Sequence, residues 1–334
     1  MKVAMTGAAG FLGQRLISRV LADPTLPTPN GAETVEELRL FDVIRPALPA
    51  GRDTTQEAPA IVTQVGDITA AGDLAQLLGD SVDVVIHLAA VVSSAAEADL
   101  DLGLRVNLDG TRMLLETCRG LTRPPMVIFA SSVAAYGGPL PDVVTDDTAL
   151  TPQSSYGAQK VISEQLINDF SRRGLIDGRV LRLPTIAVRP GRPNAAASSF
   201  ASSIIREPLQ GEDAVLPVAE DLSLYLLSPR AVIRNMVHAL GIPGSAFGTW
   251  RSVMLPGCTV SVGEMLDALA RTGGPDARRR VRQEADPRIE AIVGSWPARF
   301  DTARAVALGF DGDGDIDTIV EAFLEDDCTA GIHQ

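Results

Sequence analysis

The sequence is short of the residues on which several protein classes depend. Three cysteines, Cys118, Cys258 and Cys328, stand far apart in 334 residues. That excludes a disulfide framework and a paired-cysteine metal site, so no metal is expected and a reducing, cytoplasmic setting is the default. Cations are outnumbered: 29 Lys and Arg against 42 Asp and Glu leave a net charge of −13. Nucleic acids and anionic membrane surfaces both reward clustered cations, so neither is an expected partner. No apolar run reaches the ~18 residues of a membrane-spanning helix; the best, Val82 to Val92, carries Asp83 and His87. Met1 to Met5 begins like a leader peptide, but Gly7, Gly10 and Gly13 break the apolar stretch before it reaches useful length. Lysine is the scarcest cation of all, present only as Lys2 and Lys160.

What is present is globular in composition, with 46% hydrophobic and 21% charged residues. The length suits one large domain, or a large domain with a smaller one attached. The first half alternates strand-like and helix-like segments, the pattern of βαβ units around a parallel sheet. Strands are predicted at Val3–Thr6, Leu38–Val43, Ile61–Val65, Val82–Leu88, Met126–Ala130 and Arg179–Leu183. Helices are predicted from Leu12 to Leu21, Asp73–Leu78, Leu104–Cys118 and Tyr156–Phe170. Asp23–Thr34 and Arg45–Pro59 read as loops. Beyond Pro184 the alternation weakens, with helices expected at Pro229–Leu240, Val260–Ala270 and Ile316–Phe323. The expected architecture is α/β: a Rossmann doubly wound parallel sheet with a smaller C-terminal substrate-binding lobe. Residues 1–183 form the dinucleotide domain, with a return near 223–240, while 184–222 and 241–334 form the lobe.

Thr6-Gly7-Ala8-Ala9-Gly10-Phe11-Leu12-Gly13 links the first strand to the first helix. The glycines at 7, 10 and 13 permit a tight turn, close approach to a pyrophosphate and close helix–strand packing. The helix start at Phe11 and Leu12 offers free N–H groups and a positive dipole end. Asp42, ending the second strand, can accept hydrogen bonds from both ribose hydroxyls and would repel a 2′-phosphate, favouring NAD over NADP; Arg45 nearby tempers that preference. Asp67, after the third strand, is placed to meet the adenine amino group.

Ser131-Ser132 ends a strand, where such sheets bind ligands. Tyr156 and Lys160 are four apart, so both lie on one helical face with Cα atoms about 6 Å apart. A phenol with a pKa near ~10 needs a shift of ~2–3 units to be a useful base near neutrality. A nearby ammonium contributes on that scale and can hold ribose hydroxyls as well. A serine at the strand end could share the substrate hydroxyl with Tyr156.

These motifs together resemble the extended short-chain dehydrogenase/reductases, in the NAD-dependent epimerase/dehydratase branch. The likeness spans nearly the whole chain: the loop at 7–13, Asp42, Gly66-Asp67, His87-Leu88-Ala89-Ala90, Asn107 with Gly110, Ser132 four before Tyr136, Tyr156 with Lys160, and late Phe300-Asp301 and Leu308-Gly309-Phe310. It implies Tyr156 as acid/base, Lys160 as its tuner and ribose anchor, Ser132 as the catalytic serine and Asn107 as a helix-distorting support. It further implies cofactor contacts at Ile68, Leu88, Ala89, Ala90, Ser131 and Pro184, a substrate contact at Ser93, and a structural His87. The family's dehydratases carry an acidic pair after the catalytic serine or threonine; Val133-Ala134 stands here, so dehydration is not expected.

The segment from Arg189 to Ser202, with Arg192, Asn194 and Ser198, is short, small-residued and hydroxyl-rich. Arginine can grip a carboxylate bidentately, and Asn and Ser suit polyol hydroxyls. Together with Arg206-Glu207-Pro208-Leu209 and Trp296-Pro297-Ala298-Arg299-Phe300-Asp301, it resembles family members that oxidise C2 of a four-carbon sugar acid. The expected partner is therefore a small sugar acid, with NAD as cofactor and a homodimer as the assembly. A nucleotide-sugar epimerase, and a redox-sensing module that only binds the dinucleotide, are the alternatives. The intact Tyr156/Lys160 pair speaks against the second.

Overall fold

The computed structural model describes residues 1–49, 58–191 and 196–328. Strand β1 (Lys2–Thr6) runs into helix α1 (Phe11–Ala22), which buries Gly13, Leu16, Ile17 and Val20 against the sheet. The Gly10 N-cap offers no side-chain bond and the first turn holds no acid, so the helix start keeps its N–H groups for an anion. A hairpin follows, β2 (Thr25–Thr28) and β3 (Gly31–Thr34), in antiparallel register. Its turn-forming composition predicts a loop instead. Pro27, Asn30 and Gly31 are turn formers, but Leu26 is buried and anchors the ribbon to the core.

Then come β4 (Glu37–Asp42), β5 (Ala60–Val65), α2 (Ala71–Leu78), β6 (Val84–His87), α3 (Ser93–Ala98) and α4 (Leu100–Gly103). The single helix expected over 104–118 is two pieces, a π-helical segment Leu104–Asp109 and α5 (Gly110–Arg119). Strand β7 (Met126–Ser132), helix α6 (Ser155–Arg172) and strand β8 (Asp177–Leu183) complete the alternation. Every residue of β6 is buried, as the apolar run requires of a strand covered on both faces.

In the second half lie β9 (Thr185–Ile186), α7 (Phe200–Leu209), β10 (Ala214–Leu216), β11 (Ser223–Leu227), α8 (Pro229–Gly241), β12 (Ser252–Met254), β13 (Cys258–Ser261), α9 (Val262–Arg279), β14 (Val281–Gln283), α10 (Pro287–Val293), α11 (Ala303–Ala307) and α12 (Ile316–Phe323). The large sheet has seven parallel strands in the order β12-β8-β7-β6-β1-β4-β5. Residues 223–240 divide between the two layers: β11 joins a small sheet β13-β11-β9, whereas α8 packs onto the large one through Val232, Ile233, Met236 and Leu240. β12, from the stretch read as lobe, pairs with β8 at the large sheet's edge. A separate apolar core gathers α7, α9 and α12 around Ile204, Leu266 and Ile319. Among the described residues no helix is long and apolar enough to cross a membrane, and no cluster of metal-ligating side chains occurs. The three cysteines are free.

Candidate active site

Strand order reverses at β1, which has β4 on one side and β6 on the other. Ligand crevices form at that point, beyond the carboxyl ends of the strands. Gly7 adopts φ 73°, and a Cβ there would lie 2.6 Å from the Ala89 nitrogen and 2.7 Å from the Leu88 carbonyl carbon. A Cβ on Gly13 would lie 2.4 Å from the Gly7 oxygen and 2.7 Å from that of Ala8. The loop is thus pressed between α1 and the exit of β6.

Two cavities meet over this loop, sharing Gly7, Gly10, Leu88 and Ala90. One, of about 470 Å³, is lined by Asp42, Asp67, Ile68 and Ala89. The other, of about 320 Å³, is lined by Phe11, Leu12, Gly13, Ser131, Ser132, Tyr156, Lys160 and Pro184. Asp42 accepts from the Ala9 N–H at 2.9 Å and the Val43 N–H at 2.7 Å, which fixes its carboxylate beside the loop. Asp67 accepts from the backbone and hydroxyl of Thr69, both at 2.8 Å, and these bonds hold it below the usual carboxylate range. A channel with glycines at its waist, an uncapped helix start and a carboxylate at one end fits a dinucleotide.

Gly13→Ala should therefore weaken NADH binding by at least roughly tenfold and cost about 1–3 kcal/mol of stability, because the added methyl meets backbone rather than a movable side chain. Fluorescence titration and thermal unfolding measure both. Unchanged affinity would mean that the loop can relax away.

Helix α6 begins where it can touch the end of β7. The Ser154 hydroxyl caps it by accepting from the Gly157 N–H at 3.2 Å. A Cβ on Gly157 would lie 2.1 Å from the Ala134 oxygen, so only glycine lets the two segments come this close. Tyr156 is consequently brought beside Ser132, whose hydroxyl acts to lower the phenol. The buried Lys160 ammonium donates to the Ala130 carbonyl at 2.8 Å and sits 5.5 Å from the centre of the Tyr156 ring.

One expectation is not met. Lys160 was expected to bring the phenol toward neutrality; instead burial dominates and pushes Tyr156 up to about 12, opposed by Ser132. Burial likewise pushes Lys160 down to about 8, opposed by Glu164.

Asn107 lines neither cavity. It lies in the π-helical segment, where its side chain accepts from the Val91 N–H at 2.7 Å and donates to the Val91 carbonyl at 3.0 Å and to Gln159 at 2.7 Å. It ties the cavity wall after β6 to the residue preceding Lys160. His87 is sealed between Thr6 at 2.7 Å and Thr111 at 2.9 Å, and Thr111 donates onward to the Asn107 carbonyl at 2.7 Å. Thr111 has only one proton to give, so Nε2 of His87 donates to it and Nδ1 accepts from Thr6. Burial holds the ring at about 3, neutral and structural.

The smaller cavity also takes Ser93, Arg189 and Ser198 in its wall. Ser93 accepts from the Ala197 N–H at 3.2 Å. Burial first, and the neighbouring Arg206 second, push Arg189 down to about 10. Among the described residues no carboxylate pairs with its guanidinium, whereas Arg206 is matched by Glu207 at 2.5 Å. Arg192 and Asn194 lie outside the described residues. Sequence reasoning missed Val92, Val133, Thr185, Ile186, Ala196 and Trp296 as lining residues. Only Trp296, one of two tryptophans, carried a signal in its composition.

A model of the NAD dependent epimerase/dehydratase family matches residues 3–239. The D-erythronate dehydrogenase of Cupriavidus necator is 51% identical over 326 residues, covering 98% of both chains. That of Haemophilus influenzae is 44% identical, covering 98% of this chain and 100% of its own. Among solved structures, one described as a nucleoside-diphosphate-sugar epimerase from Agrobacterium tumefaciens is 39% identical with a TM-score of 0.91, covering 99% of this chain and 96% of that one.

Proposed function

This chain belongs to the NAD dependent epimerase/dehydratase family and is an NAD-using dehydrogenase, and on that footing we propose that it oxidises the C2 hydroxyl of D-erythronate, giving 2-dehydro-D-erythronate. Tyr156 takes the hydroxyl proton while Ser132 shares that hydroxyl. NAD, when bound, accepts the C2 hydride. Lys160 holds a positive charge beneath the reacting centre, and Asn107 steadies the wall opposite. Gly7, Gly10, Phe11, Leu12 and Gly13 cradle the pyrophosphate, Asp42 holds the ribose, and Asp67 and Ile68 flank the adenine. Leu88, Ala89, Ala90, Ser131 and Pro184 complete the channel. Arg189 grips the substrate carboxylate, with Ser93, Ser198, Arg192 and Asn194 serving its hydroxyls.

The observation that carries this reading is Arg189: a mostly buried cation without an acidic partner among the described residues, in the wall of the cavity that also holds Tyr156 and Ser132. A buried charge is held at a cost unless something pairs with it, and a carboxylate ligand does so. That cavity, about 320 Å³ and walled by Trp296, suits a small acid better than a nucleotide sugar.

The test is NADH formation across a panel of aldonic acids and nucleotide sugars. D-erythronate should be the best substrate. Turnover of a nucleotide sugar with no net NADH would instead favour an epimerase, the activity by which the Agrobacterium protein is described.

The reading carries a cytoplasmic enzyme in which residues 1–183, with a return near 223–240, hold the dinucleotide, and 184–222 and 241–334, apart from the edge strand β12, cover the substrate. It also carries a homodimer. The exposed Leu100 and Ile162, beside Leu104 and Ala158 on a surface hollow, offer an apolar face for a second copy. Sedimentation would show a single chain mass if that is wrong.

A further inference from the structure

Helix α6 repeats functional side chains at intervals of four: Tyr156, Lys160 and then Glu164. The third is the least expected, because an acid in the polar run Ser163-Glu164-Gln165 looks like a surface residue, yet Glu164 is fully buried. Three consecutive residues at the end of β7 meet these three side chains. Ala130 accepts from Lys160, Ser132 lowers the Tyr156 phenol, and the Ser131 hydroxyl donates to Glu164 Oε1. On its other side Glu164 receives Arg182 from β8, through Nε at 3.1 Å to both oxygens and through Nη2 at 2.7 Å. Arg182 also donates to the Tyr136 hydroxyl at 2.5 Å.

We propose that Glu164 is a positioning residue for the reaction: through Ser131 it fixes the strand end that bears Ser132, and it supplies the negative charge facing Lys160 from one helical turn away. The proposal rests on Tyr156 and Lys160 being the reacting pair. Arg182 pairs with the buried acid, and the bidentate geometry fixes its direction. The charged and titratable groups around the two are few. Lys160 faces Tyr156, Glu164 and, from β6, His87, which is neutral. The Glu164–Arg182 pair faces Tyr136, with Asp146 acting on both Tyr136 and Arg182 from farther off. Glu164 is thus the one negative charge among them that raises Lys160 against its burial. Without it, Lys160 should lose its proton at a lower pH and release its hold on the site.

Only two lysines exist in the chain, so side-chain NMR of lysine-labelled protein gives two signals, of which the buried one is Lys160. In wild type Lys160 should titrate near 8. In Glu164→Gln the midpoint should fall by about one unit or more, and the pH above which NADH affinity declines should fall with it. Because Glu164→Gln leaves the buried Arg182 without its carboxylate and endangers the fold, Glu164→Gln/Arg182→Met removes both charges and should still show a displaced titration in a folded protein. Glu164→Asp keeps the charge and should restore the titration. A folded double variant in which Lys160 titrates as in wild type, or in which NADH affinity keeps its wild-type pH dependence, overturns the proposal. Neither readout needs a substrate, so finding that no sugar acid is oxidised would overturn the reaction assigned above and leave this result to be judged by itself.

Discussion

Tyr156→Phe is expected to lower turnover by roughly a hundred- to ten-thousandfold, the usual worth of a positioned acid/base, while NADH affinity and the melting temperature stay near wild type. The substitution removes one oxygen and keeps the ring that faces Lys160. Ser132 loses one partner but still accepts from the Ala134 N–H at 3.1 Å, so the strand end keeps its shape. The energetic demand on this residue is large. Burial sets the phenol at about 12, and ionising it near pH 8 costs roughly 5 kcal/mol. The Lys160 ammonium, 5.5 Å from the ring centre, offsets part of that cost while it keeps its proton. The remainder falls to the positive charge of the oxidised cofactor. The wild-type rate should accordingly climb with pH as the phenol ionises, whereas the residual rate of the variant should not. A variant retaining more than a tenth of wild-type turnover would remove Tyr156 from the chemistry.

The parts of this site that can be read in the sequence are those whose geometry is local. A strand–glycine loop–helix start fits within 20 residues, and Tyr156 and Lys160 share a face because a helix repeats every 3.6 residues. Glu164 is invisible for the opposite reason. Its helical spacing is the same, but what makes it a buried anion is Arg182, a partner 18 positions away on a neighbouring strand. Strand β12 was hidden similarly: its Ser-Val-Met is too short to announce itself, and register with β8 alone makes it a sheet edge. The break in the helix over 104–118 was absent from the periodicity and was implied only by the resemblance, through Asn107, whose side chain bonds the backbone of Val91. Pro27, Asn30 and Gly31 did carry a local signal, but it was one for turns, and the buried Leu26 overrode it.

Arg189→Met should raise the KM for the sugar acid and lower kcat/KM by roughly thirty- to a thousandfold, since a charge-assisted pair of hydrogen bonds lost from a desolvated site is worth about 2–4 kcal/mol. The KM for NAD should hardly move. Two controls separate a carboxylate grip from a structural part. The amide of the same acid carries no charge, so wild type and variant should turn it over equally poorly. Arg189→Lys, which keeps the charge but loses the planar fork, should fall between them. Stability supplies a third readout of opposite sign to the usual one. The wild-type guanidinium is pushed down to about 10 by burial and by the like charge of Arg206, so removing it relieves a cost and breaks no ion pair with the described residues. Its backbone is held independently, by the Ser202 hydroxyl accepting from the Arg189 N–H at 3.0 Å and by Arg206 donating to the Arg189 carbonyl. The variant should therefore melt at or above the wild-type temperature while binding substrate far worse, the pattern of a residue retained at the expense of stability for its ligand. If Arg189→Met instead melted several degrees lower and lost amide and acid turnover alike, the arginine would be bracing the loop, and the carboxylate would have to be held elsewhere.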